Sequence, residues 1–80
     1  MVIDVKVSAV LRFYVKFPEH FLKGDRVEVP EGATVDQVLQ RLHFPERINV
    51  FVVLNGIPSD RGKVLKEGDE MHVLAPLSGG

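Results

Sequence analysis

The side chains that most often perform catalysis are scattered along this sequence of 80 residues. The three histidines, His20, His43 and His72, lie in three separate segments, and no HxH or HxxxH spacing joins them. The adjacent acids Asp69 and Glu70 would point to opposite sides of a strand or loop, so they do not predict a shared acid–base site. The serines stand in no nucleophile motif and the glycines follow no phosphate-loop spacing. We therefore predict no active site made of side chains, and we interpret the histidines as surface residues.

Composition excludes several further kinds of site. The chain has no cysteine, which excludes a disulfide scaffold and a thiolate zinc site, and we predict neither a metal nor a bound cofactor. A net charge of -1 gives no general attraction to nucleic acid or to an anionic membrane. No signal peptide and no membrane-spanning stretch is evident. We predict one cytoplasmic domain, residues 1–80, that binds neither nucleic acid nor membrane.

Residues 12–17 offer an alternative to the exclusion of nucleic-acid binding. RFYVKF, residues 12–17, interleaves basic and aromatic residues, as a site for single-stranded nucleic acid would. Burial of half of these rings under a sheet, with the charges in solvent, is the favoured interpretation for a slightly acidic chain.

The last seven residues, LAPLSGG, offer a different chemistry. Two glycines without a Cβ atom form a slender, conformationally free end that could thread a narrow channel into another protein. The carboxylate of Gly80 would then be the reactive group, while Pro76 stiffens the root of the tail and Leu77 anchors it. The predicted flexible tail consists of Pro76, Leu77, Ser78, Gly79 and Gly80.

The first half of the chain predicts two strands ahead of a helix. Residues 3–11 alternate apolar and polar side chains, which is typical of a strand with one buried face. Its inward residues would be Ile3, Val5, Val7, Ala9 and Leu11. Residues 12–17 either continue this strand or bend out of it, and residues 18–25 carry turn signals that allow one helical turn. Residues 26–29 predict a short second strand, antiparallel to the first.

A short helix should follow the second strand. Thr34 is the predicted N-cap, and Gln37 completes a capping box with it. The spacing of the apolar residues is that of a helix about nine residues long that packs on a sheet. These residues are Val35, Val38, Leu39 and Leu42.

The second half predicts three more strands. Residues 48–54 form the most apolar run and predict a central strand, and Asn55-Gly56 is a strong hairpin signal. Ile57-Pro58 can return only as an edge strand, because proline lacks the backbone N–H.

The last elements complete the expected architecture. Val64 and Leu65 are the predicted anchors of a polar loop, and residues 71–75 predict the final strand. Two strands, a crossing helix and a return to the sheet describe an α+β fold of the β-grasp, ubiquitin-like type. We expect a mixed sheet of about four to five strands on one main helix, with the first and last strands parallel at its centre.

Three collinear blocks carry a resemblance to a known family. They are EVPEGATVDQVLQRL (28–42), VVLNG (52–56) and VLKEGDEMHVLAPLSGG (64–80). Together they resemble the ubiquitin-like sulfur-carrier family of MoaD/ThiS type, which contains the small subunit of molybdopterin synthase and the thiamine-pathway sulfur carrier. Leu11-Arg12 is similar to the molybdopterin type, whereas the short helix is similar to the thiamine carriers.

The resemblance implies a carrier and not an enzyme. In that family an adenylating enzyme, related to those that activate ubiquitin, consumes ATP to activate the terminal glycine carboxylate. A sulfur donor then forms a thiocarboxylate, and a synthase takes the sulfur. The resemblance implies that Gly80 would bear the sulfur. Synthesis of the molybdenum or tungsten cofactor is the favoured pathway. The alternatives are a thiamine-pathway carrier, a ubiquitin-like modifier joined to lysine through Gly80, and an interaction module whose glycines are incidental.

A carrier needs an exposed apolar surface for its partners. If Leu54 before the hairpin is buried, alternation places four residues of the last two long strands on the open face of the sheet. These residues are Phe51, Val53, His72 and Leu74. The competing interpretation is that residues 12–17 cover part of this face.

Overall fold

The computed structural model describes residues 1–13, 19–44 and 49–75. Its strands are β1 (Val2–Val7), β2 (Asp25–Glu28), β3 (Phe51–Leu54), β4 (Ile57–Ser59) and β5 (Glu70–Leu74), and its helices are α1 (Glu19–Lys23), α2 (Val35–Arg41) and a 3-10 helix at Ala9–Phe13. The strands form one mixed sheet in the order β2-β1-β5-β3-β4. β1 and β5 are parallel neighbours in its interior, while the other pairs are antiparallel. The predicted α+β, β-grasp architecture is confirmed.

The first strand ends earlier than its alternation predicts. Its last parallel pair is Val7 with Val73, and the Ser8 N–H then donates to the Val73 carbonyl at 2.8 Å. A 3-10 helix follows, in which the Leu11 N–H donates to Ser8 at 3.0 Å. Leu11 is fully buried but Ala9 is exposed, so the predicted strand over residues 8–11 is wrong. The chain turns because that turn buries Leu11 once β1 reaches its last paired residue.

Local capping sets the start of α2. The Thr34 hydroxyl accepts from the Gln37 N–H at 3.3 Å, and the Gln37 side-chain oxygen accepts from the Thr34 N–H at 2.9 Å. This reciprocal capping box is the predicted one. The helix has 7 residues and is shorter than predicted, with Leu42 as the C-cap and His43 in the left-handed region at φ 57°.

The core lies between α2 and one face of the sheet. Its contributors are the inward residues of the three interior strands together with α2 and adjoining loops. They include Ile3, Val5, Val7, Val35, Val38, Leu39, Val52, Leu54, Leu65, Met71 and Val73. β3 is interior, as predicted, but stands beside the edge strand, so β5 takes the middle of the sheet.

One predicted core anchor is wrong. Leu65 is 3% exposed, whereas Val64 is 51% exposed. The backbone of Val64 pairs with Thr34, and the Leu65 N–H donates to the Ala33 carbonyl at 2.8 Å. Since neighbouring residues of an extended segment point to opposite sides, only one of the two can reach the core.

Candidate functional site: the open face of the sheet

The four residues predicted to face outward lie together on β3 and β5. Phe51 is directly opposite Leu74, and Val53 is directly opposite His72. The alternate residues of both strands, Val52, Leu54, Met71 and Val73, are buried in the core. We call the four outward residues, Phe51, Val53, His72 and Leu74, the docking patch. The structure agrees with their assignment to one face, while their role in binding a partner stays a prediction.

The docking patch is accessible and graded in polarity. Phe51 is 44% exposed and the other three residues are half-buried. His72 on β5 lies between Val53 on β3 and Lys6 on β1. Nearer the start of β5, Glu70 pairs with Asp4 of β1. Apolar character therefore increases toward Leu74, the end of β5 that leads into the tail.

His72 is suited to an apolar contact at neutral pH. Burial lowers the pKa of its imidazole below the ordinary value of 6.5, and the positive charge of Lys6 on the neighbouring strand lowers it further. The ring is therefore neutral near pH 7 and adds area to the docking patch without adding charge.

A charged groove of about 560 Å³ borders the docking patch on the side of β1 and β2. Lys6, Lys23 and Arg26 line it together with Asp4 and Glu70. Arg26 lies 3.8 Å from the Asp4 carboxylate, a pair open to solvent. Such exposed pairs contribute little to stability, so this edge is a polar boundary of the docking patch.

The five tail residues, Pro76, Leu77, Ser78, Gly79 and Gly80, lie outside the described residues. β5 ends at Leu74 and the half-buried Ala75 follows. The predicted roles of the tail therefore stay predictions, while the structure places Leu74, two positions before Pro76, directly opposite Phe51.

One structural feature was not predicted from the sequence: the carboxylate of Asp69 ties the β3–β4 hairpin to the start of β5. Asp69 is 8% exposed and accepts from the Asn55 side-chain amide at 2.9 Å and from the Lys66 N–H at 2.7 Å. The other end of the Asn55 amide accepts from the Glu70 N–H at 2.9 Å. We call this set of contacts the Asn55–Asp69 link. Both the Asn-Gly turn and the GDE loop are visible in the sequence, but only the register of β3 on β5 brings them together.

The other two histidines, His20 and His43, lie outside the docking patch. His20 lies 3.4 Å from the Asp25 carboxylate at the surface, and His43 is exposed near the end of α2. Among the residues that the structure describes, no three acidic or histidine side chains form a group able to hold a metal ion. No helix in those ranges is long and apolar enough to cross a membrane.

Comparison with known proteins places this chain in a family. It matches the ThiS family over residues 13–80. Small archaeal modifier protein 1 from Haloferax volcanii has a similar structure, with 24% sequence identity, a TM-score of 0.72 and full coverage of both chains. A Pyrococcus furiosus protein described as molybdopterin converting factor, subunit 1 has 22% identity and a TM-score of 0.71, with 95% of this chain and 98% of the other covered. At these identities the likeness establishes the ubiquitin-like fold. No curated protein matches the chain.

Proposed function

This chain belongs to the ThiS family, and on that premise we propose that it is a sulfur carrier that acts as the substrate of other enzymes. Its Gly80 carboxylate would be adenylated by a ubiquitin-activating-like enzyme at the expense of ATP. The product would be converted to a thiocarboxylate, whose sulfur serves cofactor biosynthesis. We favour the molybdopterin or tungsten cofactor as the destination, since the chain resembles molybdopterin-type subunits at Leu11-Arg12 and in its ending.

The chemistry needs only a free terminal carboxylate from this chain. A carboxylate oxygen of Gly80 attacks the α-phosphorus of ATP, and pyrophosphate leaves. Sulfide then attacks the acyl carbon, and AMP leaves with the bonding electrons. If the donor is a persulfide, the first product is an acyl disulfide, and a donor thiol must attack its outer sulfur, forming a disulfide and releasing the thiocarboxylate. The resulting thiocarboxylate carries nucleophilic sulfur to a synthase. The chain has no cysteine, so no side-chain thiol competes with the terminal sulfur.

The observation that carries the proposal is the position of the docking patch. Phe51 and Leu74 pair at the end of β5, separated in sequence from the tail only by Ala75. A partner that covers this pair would bind the carrier close to the root of residues 76–80. The tail would then need to extend only from the edge of the interface into the active site of that partner. At most about 3.3–3.6 Å per residue, five residues reach on the order of 17 Å.

Intact-mass spectrometry tests the proposal. The chain is incubated with an adenylating enzyme of its own organism, ATP and a sulfur donor. We expect a mass increase that equals replacement of one oxygen by sulfur, and its loss when ATP is omitted. A variant that lacks Gly80 should stay unmodified. If wild-type protein and the shortened variant behave alike, the proposed role of Gly80 is wrong.

A second candidate function is supported by the structural neighbour named as a small archaeal modifier protein. A modifier would use the same adenylated Gly80 but would transfer it to the amine of a lysine on another protein. The same incubation, with proteins of its own organism added, separates the two. Thiocarboxylate without adducts supports the carrier, and isopeptide-linked adducts that contain Gly80 support the modifier.

The pathway can be tested independently of the thiocarboxylate step. Purified thiocarboxylated protein is offered to a molybdopterin synthase large subunit with its pterin precursor, and separately to a thiazole-forming synthase. Sulfur transfer in the first mixture alone supports the molybdopterin or tungsten cofactor. Transfer in the second alone assigns the chain to the thiamine pathway.

A further inference from the structure

The Asn55-Gly56 turn contains a chemically labile bond arrangement that the carrier function does not use. In Asn-Gly sequences the glycine amide nitrogen can attack the asparagine side chain, because glycine has no Cβ to hinder it. We infer that Asn55 is a latent modification site, which the folded protein protects from deamidation through the Asn55–Asp69 link and which reacts when that link opens.

The geometry of the hairpin favours this labile dipeptide. Asn55 has φ 52° and Gly56 has φ 82°, the left-handed conformations of a tight two-residue hairpin turn. Asparagine and glycine are the residues that adopt them most readily. The fold therefore places a reactive pair at this position for conformational reasons alone.

Steric shielding does not protect the turn. A Cβ atom placed on Gly56 would meet no heavy atom within 4 Å outside the glycine and its two chain neighbours. Asn55 is exposed and lines a groove of about 650 Å³ together with Lys66 and Asp69. Protection must come from the contacts that hold the Asn55 amide in place.

Both ends of the Asn55 amide are held by hydrogen bonds to Asp69 and Glu70. Its nitrogen donates to Asp69 at 2.9 Å, and its oxygen accepts from the Glu70 N–H at 2.9 Å. The Asn55 backbone N–H also donates to the Glu70 carbonyl at 2.8 Å. To bring Cγ of Asn55 onto the nitrogen of Gly56, the amide must rotate away from β5 and give up both side-chain bonds.

The reaction would remove the link permanently. The Gly56 nitrogen forms a bond to Cγ of Asn55, and the side-chain nitrogen leaves as ammonia with the proton that Gly56 gives up. Water then opens the cyclic imide to aspartate or to isoaspartate, in which the main chain runs through the side-chain carbon. In aspartate a carboxylate oxygen replaces the N–H donor that faced Asp69. A chain that has opened is thus marked, and it cannot rebuild the same contact between hairpin and β5.

Mass spectrometry after ageing tests this inference on the full chain. Protein is aged in native buffer and in guanidinium chloride, and peptide mapping follows the exchange of NH for O at each asparagine. Asn49 precedes the β-branched Val50 and serves as the internal control. We expect Asn55 to react at least about tenfold faster in the unfolded protein, because local opening precedes reaction in the native one. Asn49 should lag behind Asn55 in denaturant.

Two variants locate the protection. In Asp69→Asn a single side-chain oxygen must replace two acceptors, so one of the donors from Asn55 and Lys66 loses its partner. Its native-state deamidation at Asn55 should rise about tenfold, the value of one hydrogen bond to a charged group. Glu67→Gln changes the same charge in the same loop, but Glu67 contacts the Val2 N–H instead, and this control should not accelerate.

Several results would overturn the inference. Equal Asn55 rates in native and unfolded wild-type protein would do so without any variant. A folded Asp69→Asn protein with the wild-type rate would also do so. If Asp69→Asn does not fold, the Asn55→Asp variant replaces it, and an unfolding midpoint equal to that of wild type would show that the deamidated link is not impaired.

Discussion

At the scale of single residues, His72 gives the sheet a dependence on pH whose direction can be worked out. Burial and the charge of Lys6 lower its folded-state pKa below 6.5. The groups that face it are Lys6 on β1, Val53 on β3 and, further along its own strand, Glu70. Well above pH 6.5 the ring is neutral in both folded and unfolded chains, so its titration has no effect on stability. As the pH falls below that value, the unfolded chain takes up the proton first, so stability declines.

We therefore predict that His72→Gln reduces the loss of stability on acidification. The denaturant midpoint of the variant and of wild type is compared above and below pH 6.5. The variant should lose less stability across this interval, while His43→Gln, at an exposed position, should follow wild type. The same decline in His72→Gln as in wild type would rule out His72 as its source.

At the scale of elements, β4 is an edge strand with an obstacle to further pairing. In the two-residue hairpin Leu54 and Ile57 exchange backbone hydrogen bonds, so the next pair, Val53 and Pro58, does not. The nitrogen of residue 58 therefore faces the open edge, and proline leaves no donor there. Ile57 beside it is 68% exposed, so an unblocked edge would present both a donor and apolar surface.

Replacing Pro58 should open this edge. We predict that Pro58→Thr folds but self-associates with rising concentration, because a new N–H points outward beside Ile57. Analytical ultracentrifugation measures the effect. Ser59→Thr introduces the same residue at the next position, where the N–H already pairs with Val52, and it should stay monomeric. If both variants sediment alike, Pro58 is not the blocking residue.

The elements also show what sequence could and could not predict. Alternation correctly assigned Val52 and Leu54 to the core and Val53 to the open face, because side-chain direction follows the covalent geometry of a strand. Thr34 could be predicted as the N-cap of α2 because its capping partner, Gln37, lies only three positions away. Tertiary pairing set the remaining features. The end of β1 at Val7 depends on β5, and the exposure of Val64 depends on its bridge to Thr34.

The docking patch and the Asn55–Asp69 link differ in how far the sequence predicts them. The four docking-patch residues could be named because they alternate along two strands that pair in register. The Asn55–Asp69 link could not, since its two residues are 14 positions apart and meet only after β3 has aligned on β5. Local patterns predict which face a residue occupies, whereas contacts between distant loops require the register.

At the scale of the whole molecule, we expect the two faces of the sheet to have different tasks, folding on the inner face and partner binding on the outer one. The inner face supplies most of the core, and a domain of this size has a stability of only about 4–12 kcal/mol. The outer face contributes less to folding and is available to partners. Adjacent residues of β5 therefore separate the two tasks: Val73 is fully buried, while Leu74 is half-buried in the docking patch.

Charge substitutions at these two positions test this division. We predict that Val73→Asp unfolds the domain, because an unpaired carboxylate in the core costs several kcal/mol, a large part of the total. Leu74→Asp should keep a cooperative thermal transition in circular dichroism but raise the KM for adenylation by about tenfold or more, as loss of a central apolar contact does. Ile57→Asp is the matched control, an exposed apolar residue of β4 outside the docking patch, and its KM should equal that of wild type.

Comparable KM increases in Leu74→Asp and Ile57→Asp would mean that added charge, and not the docking patch, weakens activation. Unfolding of both Val73→Asp and Leu74→Asp would instead contradict the division between the two faces, because Leu74 would then belong to the core that stabilises the fold.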